Sequence, residues 1–367
     1  MVDWKASMQQ SFEFYTVDPT TWKDDKPLKT VKSCTINRDS EAETLGSATF
    51  DIDGQFKECY VRVYLVTTQN GVTERHPLGT FLVHTPSSSF DGKVKSTSMD
   101  AYTPLLELKE KQPPIGFSLS IGENIMKKAQ ILAQENMRGV VLPVVSDTTT
   151  SLTHNFVAES DETWLTYLTA LIANDKKTFY LDEMGRVLFN PIQETAALQP
   201  VETFDDSNSS ILYPDVTIDH DIYGIPNVVE VVCSTGTKSF CYKAVNDDPN
   251  SPTSTVSRGR TITHRVTDPE ISGVADEASV KAYAIQLLKD LSTVEYTISY
   301  THGYCPVRLG DCVRLNYTRA GIHNIKAKVV SQSIQCVPGC PVTEKAVFTT
   351  SLWAGFEKEG VNNATVA

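Results

Sequence analysis

Between Val294 and Gln335 the chain alternates too regularly to be helical. Val294, Tyr296, Ile298 and Tyr300 share one face of an extended strand, with Glu295, Thr297 and Ser299 on the other. A period of two marks a half-buried strand. Leu309-Gly310-Asp311 breaks the pattern, Cys312-Val313-Arg314-Leu315 resumes it, and Arg319-Ala320-Gly321 turns the chain into a third strand, Ile325 to Ile334. A similar order occurs near the N-terminus. Cys59 to Thr67 alternates, Pro77-Leu78-Gly79-Thr80 punctuates, Phe81-Leu82-Val83 follows, and another strand runs from Lys93 to Tyr102. The recurrence reads as a weak internal repeat of a small β-barrel, with too long a period for a solenoid. Chance is the competing explanation, because Leu-Gly before a strand is common.

A chain of 367 residues has room for two or three domains, and 40% hydrophobic residues are enough to fill their cores. The net charge of -12 argues against a general nucleic-acid binder, which needs clustered Lys and Arg. No apolar run approaches the roughly 18 residues of a membrane-spanning helix. The start, MVDWKASMQQ, lacks the basic and apolar regions of a signal peptide. Eight cysteines (Cys34, Cys59, Cys233, Cys241, Cys305, Cys312, Cys336 and Cys340) are too dilute for a disulfide scaffold, so reduced and mostly buried thiols are expected. Two bridges stay open for oxidising surroundings. Pro338-Gly339 would turn Cys336 back towards Cys340, and Cys233 would face Cys241 across a three-residue loop.

Along the chain, Ser11 to Val17 suits a strand or arm, and Asp24-Asp25-Lys26-Pro27 a loop. Val31 to Arg38 and Ser47 to Ile52 alternate as strands, with Asp53-Gly54 as a turn. The period then changes. Gly122 to Asn136 places Ile125, Ala129 and Leu132 on one helical face. Ser160 or Asp161 caps a second helix with the stripe Trp164, Leu165, Leu168, Leu171 and Ile172. A hairpin follows, Thr178 to Leu181 and Arg186 to Asn190, turned by Asp182-Glu183-Met184-Gly185. Val228 to Cys233 and Ser239 to Ala244 form another hairpin. Asn246 to Gly259 is a polar loop long enough to be functional or mobile. A third helix spans Glu277 to Leu291, and Lys345 to Trp353 is the last strand. The expected fold class is therefore β-rich α+β: two similar small β-barrels with an inserted α+β domain. The divisions are 1–105 (first barrel with an N-terminal arm), 106–205 (insert), 206–355 (second barrel with the polar loop and one helix) and 356–367 (a frayed tail).

Chemical motifs are scarce. There is no Gly-rich phosphate loop, no Gly-x-Ser-x-Gly elbow and no His-Glu-x-x-His helix. Asp219-His220-Asp221 is the densest polar cluster, but a solvated strand edge accounts for it better than a metal or general-base site, since no second ligand cluster lies nearby. The Cys336–Cys340 spacing also supports zinc poorly. Glu107, Glu110, Glu123 and Glu135 sit among lysines, the look of a solvated face rather than of paired glycosidase carboxylates.

Four stretches, in order, carry a resemblance. They are Val31-Lys32-Ser33-Cys34-Thr35-Ile36 with Ser47-Ala48-Thr49-Phe50; Thr163 to Pro191 with Asp182-Glu183-Met184-Gly185-Arg186; Ile225-Pro226-Asn227-Val228-Val229-Glu230-Val231 with Asn250-Ser251 and Arg258-Gly259-Arg260; and the helix from Asp276 followed by a strand and Leu309-Gly310-Asp311-Cys312-Val313. Together they resemble the baseplate hub protein of contractile-tailed bacteriophages, a group related to type VI secretion spikes and contractile injection particles. The resemblance implies a non-enzymatic homotrimer in the virion tail, assembled in the host cytoplasm. Two barrels from each of three subunits would make a six-unit ring joining the six-fold tail tube to the three-fold central spike, with DNA passing through the lumen without specific binding. The tube-initiator, tape measure and neighbouring baseplate proteins are the other implied partners. The resemblance offers no catalytic, cofactor-binding or metal-binding residue. Two other readings compete: the hub region of a long-flexible-tail tip protein, disfavoured because the chain stops after the second barrel, and a cell-wall hydrolase or glycan-binding module of the tail.

Overall fold

Alternating apolar residues build most of this molecule. The computed structural model describes residues 2–350, apart from 54–56, 91, 93–94, 145–149, 194, 221–222, 235–238, 268, 270–275 and 293. The N-terminal module comprises β1 (Gln9–Val17), β2 (Asp24–Pro27), β3 (Val31–Asp39), β4 (Gly46–Ile52), β5 (Tyr60–Gln69), β6 (Val72–Phe90) and β7 (Lys95–Tyr102). In β4 every second residue is buried, so Ala48, Phe50 and Ile52 reach the core while Ser47, Thr49 and Asp51 do not. Two expectations change here. Asp24–Pro27 is a short strand paired with β1, not a loop. Leu78-Gly79 does not interrupt its strand, because β6 runs straight through it and absorbs an extra residue in a bulge opposite Val63 and Tyr64.

The insert contains α1 (Leu106–Lys109), β8 (Ser118–Leu119), α2 (Ile125–Asn136), β9 (Phe156–Val157), α3 (Trp164–Ala173) and the hairpin β10 (Lys177–Leu181) and β11 (Val187–Pro191). Ile125, Ala129 and Leu132 are buried against Leu165, Leu168 and Ile172, as their helical spacing requires. Thr163, not Ser160 or Asp161, caps α3. Its side chain accepts from the Thr166 N–H at 3.2 Å, and the Thr166 side chain reciprocates.

The rest of the chain forms two sheets. β12 (Pro200–Asp205) and β13 (Leu212–His220) lead into a separate unit of β14 (Val228–Ser234), β15 (Ser239–Val245), α4 (Thr255–Arg258), β16 (Thr263–Thr267) and α5 (Glu277–Leu291). There α5 buries Val280, Ala284 and Leu288 against Val229 and Val231 of a three-stranded sheet. The polar stretch Asn246–Gly259 is packed rather than loose. Asn246, Ser251, Thr253 and Ser254 are buried, and Asn246 Nδ2 donates to Ser251 Oγ at 2.9 Å. β17 (Val294–Gly303), β18 (Cys312–Asn316), β19 (Ile325–Gln335) and β20 (Pro341–Thr350) return to the main sheet, and the tail Gly355 to Ala367 lies outside the described residues.

The fold is β-rich α+β, dominated by one thirteen-stranded sheet. Its path runs β13-β17-β20-β19-β3-β4-β7-β6-β5-β1-β2, with β12 and β18 branching from β19. Among the described strands no pairing closes either half into a barrel of its own. The halves meet where β19 pairs antiparallel with β3.

Candidate functional site

The seam between the halves is where sequence, packing and charge converge. Strand β19 serves both cores. Ile325, Ala327 and Val329 face the C-terminal core. A bulge between Val329 and Ser331 then shifts the phase, so Gln332 and Ile334 turn inward and Ile334 joins the N-terminal core. Strand β20 also reaches both cores, but in one unbroken phase, with Ala346 and Phe348 in one core and Val342 in the other.

Charge is buried at the crossing point. Glu344 and His302 are both 0% exposed. Tyr300 Oη donates to Glu344 Oε2 at 2.5 Å, and Gln332 Nε2 donates to Glu344 Oε1 at 2.5 Å. His302 Nε2 stands 3.3 Å from Glu344 Oε1, an ionic contact rather than an aligned hydrogen bond. The other ring nitrogen, Nδ1, lies 2.6 Å from the Gly303 carbonyl, which can only accept. Burial opposes a charged imidazole, but the Cys305 thiol and the Glu344 carboxylate outweigh it and push the His302 pKa up to about 10. Burial also works against the Glu344 carboxylate, yet His302, Tyr300 and Gln332 hold its pKa below the ordinary value. The pair is therefore ionised at neutral pH. From Gln332 the relay crosses the seam: Arg38 Nη1 donates to Gln332 Oε1 at 3.0 Å, and Arg38 Nη2 donates to the Leu78 carbonyl at 2.6 Å.

The hairpin turn Asp182–Gly185 is wedged beside this relay. The Met184 carbonyl accepts from Trp22 Nε1 at 2.8 Å, Thr80 Oγ1 at 3.0 Å and Arg62 Nη2 at 3.3 Å, all in the N-terminal module. Glu183 pairs with Arg308 of the C-terminal module. A Cβ on Gly185 would stand 2.7 Å from Thr80 Cβ, so the turn backs closely onto β6. Both Leu-Gly pairs line the same cleft of about 150 Å³, with Arg38, Tyr180 and Lys328. Chemically this arrangement binds three segments together.

The residues weighed from sequence do not gather. Asp219 is exposed on β13, and Asp221 lies outside the described residues. Among the described residues no group of His, Cys, Asp and Glu is arranged to hold a metal. Glu107 is buried and structural: the Arg138 N–H donates to its Oε2 at 2.6 Å and Arg138 Nε to its Oε1 at 2.5 Å. Glu123 pairs with Lys128 at 2.8 Å, while Glu110 and Glu135 are exposed. All eight cysteines are free, most of them buried. Cys233 lies opposite Phe240 and Cys241 opposite Val232, because Ser234 pairs with Ser239 and the connection is one residue longer than a Cys233–Cys241 bridge requires. Sequence reasoning missed His302, Gln332 and Glu344. The signal was present: His302 follows Ile298 and Tyr300 in the buried phase, and Glu344 sits between Val342 and Ala346.

No protein-family model matches the chain, and no curated protein does. Solved structures do, among them tail proteins and a PdpA–VgrG complex. Over 93% of this chain and 97% of the other, the fold matches a tail protein from Neisseria meningitidis with a TM-score of 0.62 at 13% identity. It matches the 43 kDa tail protein of a Shewanella oneidensis prophage over 92% and 98% with a TM-score of 0.61 at 12% identity. It also matches a Francisella PdpA–VgrG complex, over 93% of this chain and 58% of that one, with a TM-score of 0.56 at 9% identity. The chain thus shares its fold with these tail proteins and with the PdpA–VgrG complex, and the likeness expected from its sequence holds at the level of fold.

Proposed function

We propose that this protein is the trimeric hub of a contractile-tail baseplate, joining the six-fold tail tube to the three-fold central spike around a channel for DNA. The observation that carries this is the end-to-end match to two tail proteins, each nearly covered in full. Two sheet modules held rigidly in one chain are what a threefold assembly needs to present six similar units. In this reading residues 1–105 and 206–350 supply the units, 106–205 braces them, and the unit around α5 contacts neighbouring baseplate proteins. Open sheet edges at β2 and β13 are templates for contacts between subunits. The acidic balance suits a lumen that DNA traverses without sticking. The remaining partners are the spike, the tube-initiator and the tape measure protein, and the site of action is the virion tail. Sedimentation of the purified protein with negative-stain imaging tests this. The expected result is a hollow trimeric ring; a compact monomer that digests murein would overturn it.

A further inference from the structure

At the seam Cys336 and Cys340 meet a third thiol, Cys34, that sequence spacing did not group with them. The ladder between β3 and β19 ends at the Thr35–Gln335 pair. One residue further on, the Cys336 N–H donates to the Cys34 carbonyl at 3.0 Å. Both side chains enter the N-terminal core, Cys34 at 2% and Cys336 at 9% exposure. Residues directly opposite across antiparallel strands hold their Cα atoms about 4.5–5.5 Å apart, inside the roughly 4.4–6.8 Å that a disulfide spans. Cys340 shares the pocket, but it sits in a turn with φ +40, closed by its N–H donating to the Val337 carbonyl at 2.8 Å. The turn therefore holds Cys340 apart from the ladder, while Cys34 faces Cys336 across it.

We propose that Cys34 and Cys336 form a cross-strand disulfide under oxidising conditions, a covalent staple between the first sheet module and the second. The oxidant is a small-molecule disulfide such as oxidised glutathione. The Cys336 thiolate attacks one of its sulfurs, releasing one glutathione thiolate and leaving a mixed disulfide. The Cys34 thiolate then displaces the second glutathione. In sum, the glutathione S–S bond breaks and a protein S–S bond forms. Two electrons pass to the glutathione, and the two protons of the protein thiols leave with it. Cys34 and Cys336 are almost fully buried, so exchange is slow once the core has closed and the bond forms before the seam seals. The eight free thiols describe the reduced form. The staple is independent of oligomeric state, because both cysteines belong to one chain.

The full chain, unfolded in urea and refolded in an oxidising glutathione buffer, provides the test, since the thiols then equilibrate before burial. Remaining thiols are alkylated and the peptides mapped by mass spectrometry. The expected map joins the Cys34 and Cys336 peptides and leaves Cys340 alkylated. The oxidised chain also migrates faster than the reduced one on a non-reducing denaturing gel, because the bond closes a loop of most of the chain. Cys340→Ser keeps both results. A map with Cys34 alkylated, or joined to any thiol other than Cys336, overturns the proposal.

Discussion

In the N-terminal module Arg62 is 1% exposed and is held by Thr80, Asp24 and the carbonyls of Trp22 and Met184. In the C-terminal module His302 and Glu344 are fully buried and neutralise one another. The two halves thus bury charge for different ends. The carboxylate partner of Arg62, Asp24, keeps 25% of its side chain in water, and Arg62 gathers loops, clamping the hairpin turn of the insert against β5 and β6. The His302–Glu344 pair gathers strands, tying β17, β19 and β20 where the sheet crosses from one core to the other. The first module is organised to hold the insert and the second to hold the first. The residues that lock the two halves are therefore of different kinds.

Substitutions break this comparison in a defined order. Glu344→Ala leaves a buried imidazolium, Gln332 and Tyr300 without their partner, so stability falls by about 4 kcal/mol in urea denaturation. Glu344→Gln keeps the side-chain shape and one of the two accepted hydrogen bonds, and costs less. Arg62→Ala leaves the mostly buried Asp24 without its guanidinium and removes one of three donors to the Met184 carbonyl, with an expected loss of about 3 kcal/mol. Limited proteolysis of that variant should cut first in the released β10–β11 hairpin.

A pH series sharpens the contrast. The folded pKa of His302, about 10, lies above its ordinary 6.5. Its contribution is therefore complete below about 6.5 and is lost as pH rises towards 10. The folded pKa of Glu344 is lowered from 4.5, so its contribution is present above that value and is lost as the solution is acidified further. Urea midpoints from pH 5 to pH 10 should decline on the alkaline side, and the decline should shrink in Glu344→Gln.

The smallest effects separate the two Leu-Gly pairs. Gly79 lies within a strand, and a Cβ there would meet the buried Phe81 ring at 2.5 Å. Gly310 lies in a turn with φ +82 and open space around it. Gly79→Ala should displace the Phe81 ring and lower stability by about 2 kcal/mol. Gly310→Ala carries only backbone strain of about 1 kcal/mol, visible as a small shift in thermal midpoint.

Much of the fold was legible because burial imposes short periods. β3, β4, β17 and β19 follow their alternation, and α2, α3 and α5 their apolar stripes, whereas β5 is buried on both faces from Tyr60 to Thr67 and does not alternate. Pairing between halves was not legible, since β3 and β19 lie almost the whole chain apart and nothing local specifies their register. The bulge at Val330 hid the seam further by reversing the phase of β19 halfway along. The helical unit around α5 was merged with the second barrel, because a short hairpin looks the same whichever sheet it joins. The site was the least visible part. His302 and Glu344 are single polar residues in apolar strands, and only the fold reveals that they are partners.

A reconstruction of the proposed ring, with threefold symmetry alone imposed, would compare the two modules most directly. Rotated by a sixth of a turn, the density of each N-terminal module should superpose on that of the adjacent C-terminal module. Modules at unequal radii, or with no correlation under that rotation, would contradict the hub.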